Sequence, residues 1–500
     1  MIVNNLGVNS ALSVQTLIDM RNQLIDLQRQ FGTGKKANSY AGLGLDRGLT
    51  VGLRTHLSAM AGYHQTITEV GVRLDLAATA LSQIDSIGRS AKSTVMQSNF
   101  ALSNGNQTLD QRTAYIQFDQ MLSVLNTSTG GRYLFAGRGV DGAAVETADH
   151  IMNGEGTRAG LKQIIGERRL ADLGASGLGR LVVSAPSATS VGLDEDAASP
   201  FGFKLAGVTT AMAGATVTGP AGSPASLSVD LGAGNPNPGE SVRFTFTLPD
   251  GTSHDLTLTA TSSATPGANE FQIGGSSAIT AANLQTALTQ SLGTLAATSL
   301  SAASAVAAGN DFFNVDGANP PQRVDGPPFD SAIALVDGTA ANTVTWYTGE
   351  AGTDGARSTA VARVDQSLAL SYGLRANEEG LRLAVQSIAV FAATTYSASD
   401  PDAEARYAAL KQRVTATLAG MPGKQTVVDI EGDIAAVHTA LQSAKDRHQQ
   451  TKGTLEQLLN QVEGVTTEEV AAQILALQTS LQATLQTTAM LLRTNLLEYL

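Results

Sequence analysis

Two long stripes of aliphatic residues, one near each end of the 500-residue chain, constrain its fold more than anything between them. Near the C-terminal end Val470, Ile474, Leu477, Leu481, Leu485, Leu492 and Leu496 recur among Gln and Thr. Their 26-residue span takes seven steps if Thr488 or Ala489 fills the gap, about 3.7 residues per step. An α-helix returns to the same face every 3.6 residues, so the stretch predicts an amphipathic helix over 470–500. A step above 3.5 favours nearly straight packing over a left-handed supercoil. Near the N-terminal end Leu6, Ser10, Ser13, Leu17, Met20, Leu24, Leu27 and Phe31 alternate in steps of four and three, a heptad seam with two small members. Gly32 and Gly34 end it. Neither stripe is stable in water uncovered.

The rest of the chain falls into helical flanks and a different centre. Residues 32–55 are glycine-rich and predict an extended loop. A second long helix is predicted from Val70, Leu74, Ala77, Leu81, Ile84, Gly88, Ala91 and Val95, and a shorter one over 108–125 with Tyr115, Phe118, Leu122 and Leu125 on one face. From about 131 to 350 Gly, Ala, Thr, Ser and Pro dominate. Residues 241–248 and 254–260 alternate in period two around Pro249-Asp-Gly251, a hairpin signature. Residues 271–273 and 343–347 predict further strands, and Leu284, Leu288 and Leu292 a lone helix. Helical periodicity returns over 378–398, 402–419 and 430–462, the last with Ile430, Ile434, Val437, Leu441, Ala444, His448, Thr451, Leu455, Leu458 and Val462 on one seam. The fold class expected is mainly α with an inserted α+β domain, the N- and C-terminal regions forming a long antiparallel helical bundle. Three regions follow: 1–45 with 465–500 as a terminal helical assembly domain, 46–180 with 346–464 as a helical core with a small β hairpin region, and 181–345 as a variable α+β insert.

Composition excludes several functions. The formal charge is −12 and no Lys/Arg run occurs, so a nucleic-acid footprint is missing. With no cysteine there is no disulfide, thiolate metal site or cysteine nucleophile, a pattern that suits work outside the reducing cytosol. Residues 1–10 lack the cationic and apolar regions of a cleaved signal peptide, and no membrane span is expected. Gly137, Gly139 and Gly142 match G-x-G-x-x-G, but among 51 glycines a turn is the expectation. The six histidines form no H-E-x-x-H, and His448 reads as a spacer on an apolar seam. Asp194-Glu195-Asp196 lacks a calcium-loop pattern and reads as a solvated loop. No G-x-S-x-G occurs. No catalytic, cofactor-binding or metal residue is expected, and no enzyme.

Leu27-Gln28-Arg29-Gln30-Phe31-Gly32-Thr33-Gly34-Lys35-Lys36 resembles the end of the first helix in the flagellin superfamily. That superfamily usually continues into an acidic Asp-Asp-Pro segment, where this chain has Ala41-Gly-Leu-Gly-Leu-Asp-Arg47. Arg132-Tyr-Leu-Phe-Ala-Gly137, Trp346-Tyr-Thr-Gly-Glu350, Tyr372-Gly-Leu-Arg-Ala-Asn-Glu-Glu-Gly380 and Leu496-Leu-Glu-Tyr-Leu500 are similar to its hook-associated protein 3 family. The likeness covers roughly 1–180 and 346–500. It implies a secreted structural subunit of the bacterial flagellum, exported unfolded by a type III route and self-assembling as a ring at the hook–filament junction. It also implies a hook-side junction protein and flagellin as axial neighbours, a cytoplasmic export chaperone, and terminal helices that order on assembly. Leu6, Leu17, Met20, Leu24, Leu27, Phe31, Ile474, Leu477, Leu481, Leu485, Leu492 and Leu496 are the expected assembly interface. The alternatives are flagellin itself and, more distantly, an extracellular adhesin or fibre-like binding module. Deleting 181–345 is expected to abolish function in the last reading and to spare assembly in the first.

Overall fold

The computed structural model describes residues 3–103, 106–316 and 319–497; side chains of 3–11, 13 and 491–497 are not among those described. Contacts divide the chain into two units. The smaller takes the chain up to Val70, Arg363–Ala369 and the residues from Thr439; the larger takes Gly71–Ala362 and Leu370–His438.

Helix α1 (Val3–Thr33) ends where Gly34 turns into the left-handed region at φ 68° and donates its N–H to the Gln30 carbonyl. A 3-10 turn at Tyr40–Asp46 leads into α2 (Arg47–Gln97), so the predicted loop 32–55 shrinks to 34–46. Gly48 and Gly52 lower helix propensity there, but Thr50 and Leu53 are buried, and packing outweighs propensity. Within the larger unit the α2 stripe of Leu74, Ala77, Leu81, Ile84, Ala91 and Val95 is buried as its spacing predicts.

A two-residue ladder, β1 (Leu102–Ser103) with β2 (Gln107–Thr108), precedes α3 (Leu109–Leu125). Thr108 opens this helix with a capping box: its hydroxyl accepts from the Gln111 N–H at 3.2 Å, and the Gln111 side chain accepts from the Thr108 N–H at 3.0 Å. A second short ladder pairs β3 (Ser128–Thr129) with β4 (Arg132–Tyr133), followed by α4 (Ala148–Asn153) and α5 (Leu161–Leu173). The G-x-G-x-x-G stretch lies in turns before α4. At Gly137 (φ 66°) a Cβ would meet the Glu350 side chain at 2.5 Å, so the missing side chain serves a close packing contact.

The centre holds two four-stranded sheets. β5 (Leu181–Ser184), β6 (Ser190–Glu195), β8 (Thr216–Ala221) and β9 (Ser226–Asp230) form an antiparallel sheet in the order β5-β6-β9-β8. β7 (Lys204–Thr210), β10 (Ser241–Thr247), β11 (Ser253–Thr261) and β12 (Glu270–Gln272) form the other in the order β12-β11-β10-β7, with β12 parallel to β11. The predicted hairpin is β10–β11, with Val242 opposite Leu258 and Phe244 opposite Leu256. Val242, Phe244 and Phe246 point inward and Arg243 outward, as period two demands. Helix α6 (Ser277–Leu295) supplies Leu284, Leu288 and Leu292 to the same core. The acidic triplet is no solvated loop: Asp194 accepts from the Ser184 hydroxyl, Glu195 pairs with Lys204 and Asp196 with Arg180.

Beyond a π turn at Ala296–Leu300 the chain continues as α7 (Ser301–Phe313), which packs against α5. Together Ser277–Phe313 is long and apolar enough to cross a membrane, contrary to the expectation of no such stretch, although 72% of its apolar window is buried inside the protein. Short ladders follow, β13 (Gln322–Val324) with β14 (Leu335–Asp337) and β15 (Val361–Arg363) with β16 (Ala369–Ser371). Residues 343–347 make isolated bridges through Thr343 and Tyr347. Then come α8 (Glu379–Ala393), α9 (Ala403–Leu418), α10 (Val427–Glu463) and α11 (Thr467–Leu497). α7 also packs against α8 and α9. Trp346 is fully buried against Phe313 and donates its indole N–H to the Phe313 carbonyl at 2.8 Å. The segment 181–345 therefore contains a helix on which the flanking helices rest. Its Ala-rich sequence gave no stripe to announce that role.

Candidate assembly surface

In the smaller unit α1 packs along α11. Thr466 opens α11 by accepting from the Glu469 N–H at 3.3 Å, and Glu468 and Glu469 favour the positive end of the helix dipole. Where α1 ends and α11 begins, backbone hydrogen bonds tie the two connections: Lys36 N–H to Glu463 at 2.7 Å and Val465 N–H to Gly34 at 3.1 Å. The C-terminal end of α1 thus lies beside the N-terminal end of α11. Arg54 braces the join, pairing with Glu463 at 2.7 Å and lying over the Tyr40 ring. The Glu463 hydrogen bond, then that of Tyr40, holds the Arg54 guanidinium above its ordinary value. No sequence pattern links residues 409 apart, so this brace was illegible before the structure.

Leu17, Met20, Leu24 and Leu27 of α1, and Ile474, Leu477 and Leu481 of α11, are each half-buried. Val470, at the start of α11, is 2% exposed. Phe31 and Leu485 are each 48% exposed and stand outside the covered row. The row on α11 passes instead through Thr484 and Thr488, both half-buried, so 470, 474, 477, 481, 484 and 488 keep steps of four and three. Threonine is tolerated there because its hydroxyl bonds back to its own helix: Thr484 to the Ser480 carbonyl and Thr488 to that of Thr484. The gap-free row averages 3.6 residues per step, below the 3.7 read through Leu485. The expected contacts of Leu6, Leu492 and Leu496 lie outside the described side chains.

A second apolar row lies uncovered. Val14, Ile18 and Ile25 are exposed and spaced four and seven apart, one face of α1 distinct from the Leu17–Leu24 face. On α11 Leu475 is 64% exposed. An aliphatic row of this kind gains nothing from water and is of the type buried in association.

Chemistry is sparse around it. His448 of α10 is buried edge-on to Tyr63 with its Nε2 3.5 Å from Asp365, a packed spacer on its seam. Among the described residues no group of three or more metal-ligating side chains converges. No protein-family model matches the chain, and no curated protein matches it.

Proposed function

We propose that the chain is a structural, non-enzymatic subunit of the bacterial flagellum, a hook-associated protein 3 that joins hook to filament by self-association. The observation that carries this reading is the pairing of α1 with α11, whose shared row beyond the buried Val470 is only half-buried while a further aliphatic row on α1 is exposed. In this reading the N- and C-terminal regions make one long antiparallel bundle, completed by the same helices of adjacent copies in a ring. The hook-side junction protein and flagellin lie above and below, and a cytoplasmic chaperone covers the terminal helices before type III export. The sequence blocks at 27–36, 132–137, 346–350 and 372–380 support the address within the flagellum. Three of them hold packed positions in the larger unit: the Ala136 and Arg375 backbones bridge, and Trp346 is buried against Phe313 of α7.

The test is placement and a seam variant. Labelled protein is expected at a single point at the base of each filament; label along the whole filament would identify a flagellin instead. Leu481→Asp is expected to block incorporation, because an unpaired carboxylate in the seam costs several kcal/mol once neighbours complete its burial. Normal incorporation of this variant would remove the seam from the interface.

A further inference from the structure

The larger unit contains a cavity of about 290 Å³ that the assembly reading leaves unused. It lies between α5, the start of α7, residues 393–396 and α9, and is lined by Lys162, Arg169, Tyr396 and Arg406 above an apolar wall of Ile165 and Leu410. Its charges do not balance. Lys162 is held by the Asn153 side chain at 2.8 Å and Arg406 pairs with Asp400 at 2.7 Å. The Arg169 side chain forms no hydrogen bond or ion pair among the described residues, and Asp400 is the carboxylate set against Lys162, Arg169 and Arg406, so the cluster carries a surplus of two positive charges in a protein whose net charge is −12.

Burial, and then the neighbouring Arg406 charge, holds the Arg169 guanidinium below its ordinary value, with Asp400 pulling weakly the other way. A half-buried arginine next to another arginine is costly unless an anion sits between them. Tyr396 places its ring 5.4 Å from the Arg406 guanidinium, while its hydroxyl is itself buried by Thr394. The wall thus offers cationic forks, spare donors and a short apolar floor.

We propose that this cavity binds a small doubly charged oxyanion, a phosphate monoester or a dicarboxylate, with Arg169 as its principal ligand. The planar guanidinium meets such oxygens through two parallel hydrogen bonds, and a second charge on the ligand answers Lys162, which has only the neutral Asn153 side chain as partner. The volume, at the lower end for ligand pockets, admits a short carbon skeleton against Ile165 and Leu410 and excludes a nucleotide.

Titration calorimetry of the full chain at low salt, with inorganic phosphate, glycerol phosphate and succinate, tests this and separates the phosphate from the carboxylate source. At least one is expected to bind one-to-one with a dissociation constant below about 1 mM. Arg169→Gln is expected to weaken it about tenfold to a hundredfold. Gly166→Met leaves every charge in place but fills the cavity, since a Cβ at Gly166 meets nothing within 4 Å. It is expected to abolish binding with a melting temperature no lower than the parent's, since removing a glycine from the interior of α5 favours the helix. Absence of binding to all three anions, affinity undiminished in Arg169→Gln, or binding that persists in Gly166→Met overturns the assignment.

Discussion

Helices α8 and α1 read alike as amphipathic sequences and are covered to very different depths. In α8 of the larger unit Leu381, Val385, Ile388 and Phe391 are completely buried. In α1 of the smaller unit the best-covered described leucines are only half-buried, and Ile18 and Ile25 are exposed. The difference is in the neighbours: α8 is packed by α3, α7 and α9, while α1 has its main contact with α11 alone. Periodicity tells which face of a helix is apolar, and the number of layers on that face decides how much of the apolar area leaves water. A stripe met by one helix remains available to a further partner.

This contrast can be broken by substitution. The largest effect is expected from Trp346→Ala, which removes a fully buried indole and its hydrogen bond to Phe313. About 4 kcal/mol should be lost from the larger unit's denaturant transition; a loss below about 1 kcal/mol would mean that this core tolerates a void. Asp250→Ala comes next. The Asp250 carboxylate at the β10–β11 turn is nearly buried and accepts from Arg413 of α9 at 2.7 Å. Its removal should cost about 3 kcal/mol by stranding the guanidinium, and Asp250→Ala with Arg413→Met should recover part of that.

In the smaller unit the expected losses shrink. Leu24→Ala, on the half-buried row, should cost about 1–2 kcal/mol, read as faster amide exchange along α1. Ile25→Ser, one residue on but exposed, should leave monomer stability within about 0.5 kcal/mol while impairing assembly. Equal losses from the two would erase the distinction between covered and open faces.

The smallest effect concerns pH. The Lys424 hydrogen bond at 2.8 Å, with the Gln425 N–H, holds the Glu379 carboxyl below its ordinary value. Because the folded value is depressed, its stabilisation is present above the unfolded carboxylate value and is lost as pH falls through the folded one. Glu379→Gln should therefore be less stable than the parent at neutral pH, by under about 1 kcal/mol given its exposure, and equal to it in strong acid.

Much of the helical layout was legible because local chemistry announces it. Phe118, Leu122 and Leu125 announce the buried face of α3, and Pro249-Asp-Gly251 turns between runs of period two. What was illegible depended on partners far along the chain. Leu485 looks better suited to the seam than Thr484, and only the path of α1 beside α11 selects the threonine. The extension of α2 back to Arg47 against its glycines needed the burial of Thr50 and Leu53. In the cavity, Arg169 and Arg406 are 237 residues apart, and no sequence spacing could bring them together.

The π turn at Ala296–Leu300 has a practical consequence for modularity. On one side of it α6 belongs to the sheets, and on the other α7 belongs to the helices. Excising 181–345 as one cassette would thus pull a strut out of the scaffold meant to survive, and its failure would say nothing about the sheets. An exchangeable module has its downstream border within that turn, and any graft between related chains must keep Ser301–Phe313 with the recipient.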